Sequence, residues 1–241
     1  MKHTIPILML NARPAAGKSE IIHFLQALSD KERAERFHLG PLHILDDFPI
    51  LWRWFEQDDL LQKKFGLPRL HSDENEYFLR EEYWHLLIEQ LNLLARQRMR
   101  DHEETETILI EFSRGSQHGG YTQAYQHFSS DVLQKAACLY VQVSLEESLR
   151  KNRQRFNPER PDSILEHGLS NEKMMTLYRD DDWDEFSSGD PAYLHILGHR
   201  VPYAVFDNED DLTTQPGPEL EQQLQGNLDT LYQRWVSRPA V

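Results

Sequence analysis

The chain alternates short apolar runs with longer segments whose apolar residues recur at helical spacing. "TIPILML", a continuous apolar run closed by a turn signal, reads as a buried strand. From Lys18 to about Leu28, Ile21, Ile22, Leu25 and Leu28 fall at helical spacing, and Ser29 with Asp30 caps a second short helix. "LHILDDFP" gives a second strand over 42–45, stopped by acids and a proline. The polar, aromatic-rich stretch over 48–101 predicts one helix before Gly66-Leu67-Pro68 and a long one over 77–100. "ETILIEF" gives a third strand over 107–112, and a helix over 122–135 leads to a fourth over 138–143. Ser144 caps a helix through "EESLRKNRQR", residues 157–168 read as a flap, and a helix follows over 171–178. A fifth strand over 201–206 and a last helix over 218–235 complete the pattern. Strands alternating with helices imply an α/β fold, a five-stranded parallel sheet covered on both faces. The expected organisation is a single domain over 1–241. Its core is 1–47 and 102–241, its helical substrate lobe 48–101, inserted between strands two and three, and its lid about 150–180.

Composition narrows the functional classes. Apolar residues make up 39% and charged residues 27%, which supports a folded core. No apolar run approaches the ~18 residues of a bilayer span, and the short run before Asn11 and Arg13 is no secretory signal. Cys138 is the sole cysteine and sits in the apolar run "AACLYVQV", so it reads as a buried, inert thiol, and a cytoplasmic location is expected. The net charge of −14, from 26 basic and 40 acidic residues, disfavours nucleic acid as a partner. A polyanionic ligand must therefore be met by local clusters of Arg and Lys. The twelve histidines show no metal-ligand spacing, and Ser113 and Ser116 lack a nucleophile-elbow context.

Between the first strand and first helix lies Ala12-Arg13-Pro14-Ala15-Ala16-Gly17-Lys18-Ser19, close to the phosphate-cradling pattern G-x-x-x-x-G-K-[ST]. A strand feeding a tight loop into a helix N-terminus aims backbone N–H groups at an anion. Lys18 can reach β- and γ-phosphates, and the Ser19 hydroxyl can ligate Mg²⁺. This loop resembles that of the P-loop kinases of the nucleoside and nucleotide kinase (adenylate kinase-like) superfamily, which often reads G-x-P-G-x-G-K-[ST]. Pro14, Gly17, Lys18 and Ser19 match; Ala12 and Ala15 replace glycines, which a negative φ would permit. The resemblance implies a P-loop NTPase three-layer α/β/α sandwich with strand order 2-3-1-4-5, an ATP and Mg²⁺ requirement, and phosphate contacts along residues 13–19.

Other positions fall into place beside that resemblance. Asp46-Asp47-Phe48 ends the second strand where such kinases often carry D-x-F, which implies Asp46 as the base, with Asp47 in reserve; capping the next helix is the competing role. Glu111 ends the third strand like a Walker-B acid, implying a hold on Mg²⁺ or acceptor, and Arg114 a clamp; a solvated ion pair is the alternative. Arg150, Arg153, Arg155 and Arg160, with Lys151, resemble an arginine-bearing lid over the transferred phosphoryl group, against a merely solvated helix face. Asn208, after the last strand, is implied to lie beside the adenine. Trp52, Trp54, Phe55 and Trp84 read as lobe packing or as the lining of an apolar acceptor pocket.

The reading is a Mg·ATP-dependent kinase of a small-molecule hydroxyl, a nucleoside among the candidates. A nucleoside-monophosphate kinase is the alternative, with Arg53, Arg69, Arg80, Arg96, Arg98 and Arg100 available as an anion clamp. An ATP-binding regulatory protein is the alternative from another class. The pattern fixes no oligomeric state.

Overall fold

The computed structural model describes residues 4–101, 105–155 and 169–238. In chain order the elements are β1 (Ile7–Ala12), α1 (Lys18–Ala27), α2 (Asp30–Phe37), β2 (Leu42–Asp46), α3 (Asp47–Phe65) and α4 (Glu82–Asp101). They continue with β3 (Thr107–Phe112), α5 (Gly120–Tyr125), α6 (Ser130–Leu133), β4 (Ala136–Gln142) and α7 (Leu145–Arg155). The chain then forms α8 (Asn171–Tyr178), α9 (Trp183–Ser187), β5 (Tyr193–Ile196), β6 (His199–Asp207) and α10 (Pro218–Ser237).

The strands form one mostly parallel sheet in the order β2-β3-β1-β4-β6-β5. Strand count and order thus differ from the expected five: β5 adds an antiparallel edge strand, paired as Tyr193↔Pro202 through Ile196↔His199. The turn joining β5 to β6 places Leu197 (φ 48°) and Gly198 (φ 82°) in the left-handed region, as a two-residue hairpin needs. The strand the sequence conceals is β5, because Tyr193–Ile196 is only 4 residues long and is interrupted by exposed His195. The segment expected as one helix over 122–135 is instead the two short helices α5 and α6.

Alternation along β1 divides the core between two faces. Ile7 and Met9 pack with Ile88 and Leu91 of α4, Tyr121 and Tyr125 of α5 and Trp183 of α9. Leu8 and Leu10 pack on the opposite face with Ile21 and Leu25 of α1, Phe37 of α2 and Leu224 and Leu228 of α10. Buried Asn11 spends its polar atoms on the Phe112 carbonyl and the Tyr125 hydroxyl. Cys138 lies beside them, fully buried, and burial pushes its thiol up to about 12. Among the described residues, no helix is long and apolar enough to cross a membrane.

Helices α3 and α4, inserted between β2 and β3, share a third cluster with α8: Trp54, Trp84 and Leu87 against Met174 and Tyr178. Between α3 and α4 the chain makes a tight hairpin closed by the bridge Ser72↔Phe78, so residues 77–81 are not helical as expected. Asp58, fully buried, accepts from the backbone of Leu70, His71 and Ser72 and from the Ser72 hydroxyl, which staples this hairpin to α3.

Candidate active site

The phosphate-type loop stands at the carboxyl end of β1, the central strand. Gly17, at φ 110°, turns the chain into α1, whose first turn has no side-chain cap. A β-carbon at Gly17 would lie 2.5 Å from Thr213 Oγ1 and 2.6 Å from Asn208 Nδ2, so position 17 admits glycine alone on two counts. Ala15 takes φ 56°. The expectation that alanine replaces a negative-φ glycine there is therefore corrected: Ala15 holds a conformation costing an L-residue about 1–2 kcal/mol.

Three ionisable groups converge beside the loop. Lys18, buried to 6% exposure, donates from Nζ to Ser113 Oγ at 2.7 Å and the Arg13 carbonyl at 3.3 Å, with Glu111 Oε1 at 3.9 Å. Glu111 and Asp46 are register partners on adjacent strands, which puts both carboxylates on one sheet edge. Burial, with Glu111 and Asp47 as like charges, pushes Asp46 up to about 7. Burial also raises Glu111, Lys18 pulling it back and Asp47 adding to the rise. Burial lowers the Lys18 ammonium, with Glu111 and Asp46 opposing. Asp46 fills the capping role, its Oδ1 accepting from the Phe48 N–H at the start of α3, and its side chain also lines the cavity.

The remaining predicted residues divide. Pro14, Ala15, Ser19, Asp47 and Arg155 line the same cavity, of about 190 Å³. Arg155 Nη2 donates to Ser19 Oγ at 2.9 Å. Arg114, 3% exposed, gives Nη1 to Asp47 Oδ2 at 2.6 Å and Nη2 to the Trp84 carbonyl, so it locks β3 to the α3–α4 lobe. Arg150 pairs with Glu147 and Asp211, and exposed Arg153 reaches Asn171; neither lines the cavity. Arg13 turns away to the Tyr178 and Arg179 carbonyls and to Asp181, tying the loop to the end of α8. Asn208 is fully buried beneath the loop, with Nδ2 donating to the Ala16 carbonyl at 2.8 Å and to Thr213 Oγ1 at 2.9 Å. Its position corrects the expected contact with adenine: the side chain braces the loop from below. Arg160 lies outside the described residues.

Ser113, Glu76 and Lys173 escaped the sequence reading, and Lys151, named there only as part of the cationic lid, has a different place. Ser113 receives the Lys18 ammonium, and its place just past a strand end was the available signal. Lys151 Nζ reaches Asp211 at 2.5 Å and Thr213 at 2.8 Å, so α7 is bolted to the segment under Gly17. Its spacing of four from Arg155 marks one helix face, the inward one. Glu76 and Lys173, paired at 2.6 Å, line the cavity with no motif to announce them.

No family model and no curated protein matches this sequence. Among solved structures the chain is similar to an unliganded sugar kinase from Janibacter sp. HTCC2649, with 14% identity over 93% of this chain and 95% of that one and a TM-score of 0.37. Such a loose likeness carries no functional weight, and the site geometry must speak for itself.

Proposed function

We propose that this protein is a P-loop-type phosphotransferase that moves the γ-phosphoryl group of ATP to a hydroxyl of a small molecule. The observation that carries the reading is convergence: Gly17-Lys18-Ser19 at the β1–α1 junction, Asp46 and Glu111 at neighbouring strand ends, and one cavity touching both. In this reading the uncapped first turn of α1 and Lys18 hold the β- and γ-phosphates. Asp46 takes the proton of the acceptor hydroxyl as its oxygen bonds to the γ-phosphorus and the bridging oxygen leaves with ADP. Arg155 faces the transferred group and offsets its charge.

The acids suit a divalent cation. Asp46 and Glu111 are both raised by crowding and burial, an excess of negative charge that a cation relieves. Among the described residues no group of three His, Cys, Asp or Glu side chains could hold a metal, which fits Mg²⁺ carried chiefly by phosphate and water. The Ser19 hydroxyl and Glu111 would hold it, and when bound it neutralises phosphate charge.

The monophosphate-kinase alternative finds less support. Arg69 pairs with Asp59, Arg96 with Asp131 and Arg98 with Glu106, while Arg53, Arg80 and Arg100 are exposed and off the cavity. A purely regulatory ATP binder would not need a lobe cavity beside the strand-end acids.

The test is calorimetry with Mg·ATP, then a metabolite panel read by mass spectrometry for a phosphorylated product. Lys18→Ala should abolish both binding and product. Absence of Mg·ATP binding at millimolar concentration sinks the proposal.

A further inference from the structure

Resting on the kinase reading, the cavity narrows the class of acceptor. Its wall is a continuous belt of rings. Trp52 meets Phe55 at 6.4 Å between centroids, Phe55 meets Phe78 at 5.8 Å, Phe78 meets Trp84 at 4.8 Å and Trp84 meets Tyr178 at 6.4 Å. All five line the cavity. Such a belt accepts a flat apolar body by stacking and edge contacts. It offers few partners to a polyol, and each buried hydroxyl left unpaired costs roughly tenfold in affinity.

Polar groups stand at two places along α8. Near its end, the Tyr178 carbonyl receives Arg13 from the phosphate-type loop. Lys173, five residues earlier, lies about 7.5 Å back along the helix axis, where it pairs with Glu76. Both members of that pair are held in place. The Asp73 carboxylate caps the Asn75 and Tyr77 N–H groups at 2.9 Å, and the Asp73 carbonyl accepts from Glu76 N. This fixes Glu76 at φ 61°, a left-handed conformation of the sort stored at functional sites. On the other side, Ser170 caps α8 through Lys173 N. A carboxylate and an ammonium presented together offer one acceptor and one donor, and they neutralise each other. They suit an uncharged edge with a donor beside an acceptor, such as a ring amide.

We propose that the acceptor is a compact aromatic alcohol. Its ring lies within the aromatic belt, its hydroxyl faces Asp46, and an uncharged amide-like edge is read by Glu76 and Lys173. Nucleosides and hydroxymethyl-substituted pyrimidines or pyridines share this chemistry.

The experiment titrates four probe sets: nucleosides, hydroxymethyl pyrimidines and pyridines, polyols, and nucleoside monophosphates. Binding is read by quenching of tryptophan fluorescence and turnover by ADP release. The expected result is saturable quenching and turnover with one of the first two sets, the responding set telling the sources apart. Glu76→Gln and Lys173→Met should each raise the acceptor KM about tenfold and leave the ATP KM within about twofold. Preference for polyols or monophosphates overturns the inference, as does silence from the first two sets or an unchanged acceptor KM in both variants. Failure to bind Mg·ATP, with quenching by an aromatic alcohol retained, removes the kinase reading and leaves the pocket assignment standing.

Discussion

Asp46→Asn separates the charge of the strand-end acid from its shape. Asparagine keeps the cap on Phe48 N–H, because its side-chain oxygen accepts as the carboxylate does. What disappears is a buried negative charge facing Glu111 and Asp47. In the folded protein Asp46 is raised from 3.8 to about 7. Between those values the native state binds a proton that the unfolded chain has released, so stability falls as pH rises through the window. The full shift corresponds to about 4 kcal/mol, and water reaching the partly buried carboxyl reduces this to roughly 2 kcal/mol. Asp46→Asn should then match wild type in thermal midpoint only at or below about pH 4, where both states are protonated, and exceed it at pH 8 by roughly 4–8 °C. The same variant should lose about 10²-fold or more in turnover. Calorimetric melts from pH 4 to 8, run beside an ADP-release assay, read both effects. A variant less stable than wild type at pH 8, or an offset independent of pH, refutes the electrostatic argument. Full turnover refutes the assignment of the base.

Three further outcomes are expected. Wild-type kcat/KM should rise with pH through about 7 as Asp46 ionises; a profile flat from pH 6 to 8 counts against it. Ala15→Gly should stabilise the protein by about 0.5–1 kcal/mol, because release of left-handed strain exceeds the added unfolded-state entropy; a lower urea midpoint contradicts this. Arg114→Met alone should cost about 3–5 kcal/mol by stranding Asp47, and Asp47→Asn in the same chain should recover most of it; additive losses in urea melts would show the two are not coupled.

The strands carrying the site were legible because apolar runs are short, bounded and followed by acids or small residues. Asp46 and Glu111 could be named from sequence since a strand end fixes where a side chain emerges. Direction within a helix could not. Arg150 and Arg153 do share a face, yet the inward face carries Lys151 and Arg155, a choice made by Asp211, Thr213 and Ser19 on other elements. The ligand roles of Arg13 and Asn208 come from the kinase resemblance alone, and carbonyls at Tyr178 and Ala16 claim both side chains. Tyr77 and Phe78 mimicked helix periodicity while belonging to a hairpin stapled by Asp58 and Asp73. Tertiary hydrogen bonds of this kind leave no local trace.

The bracing of Gly17 by Asn208 and Thr213 also bears on how the protein is made. β1 leads the sheet in sequence but sits inside it, so Ile7 finds its neighbours only at Ile108 and Ala136. The floor of the loop arrives later still, with Thr213. A nascent chain therefore holds an unfinished phosphate-type loop until nearly all of its core strands have emerged. A C-terminal truncation ahead of Thr213 would leave Gly17 without that floor.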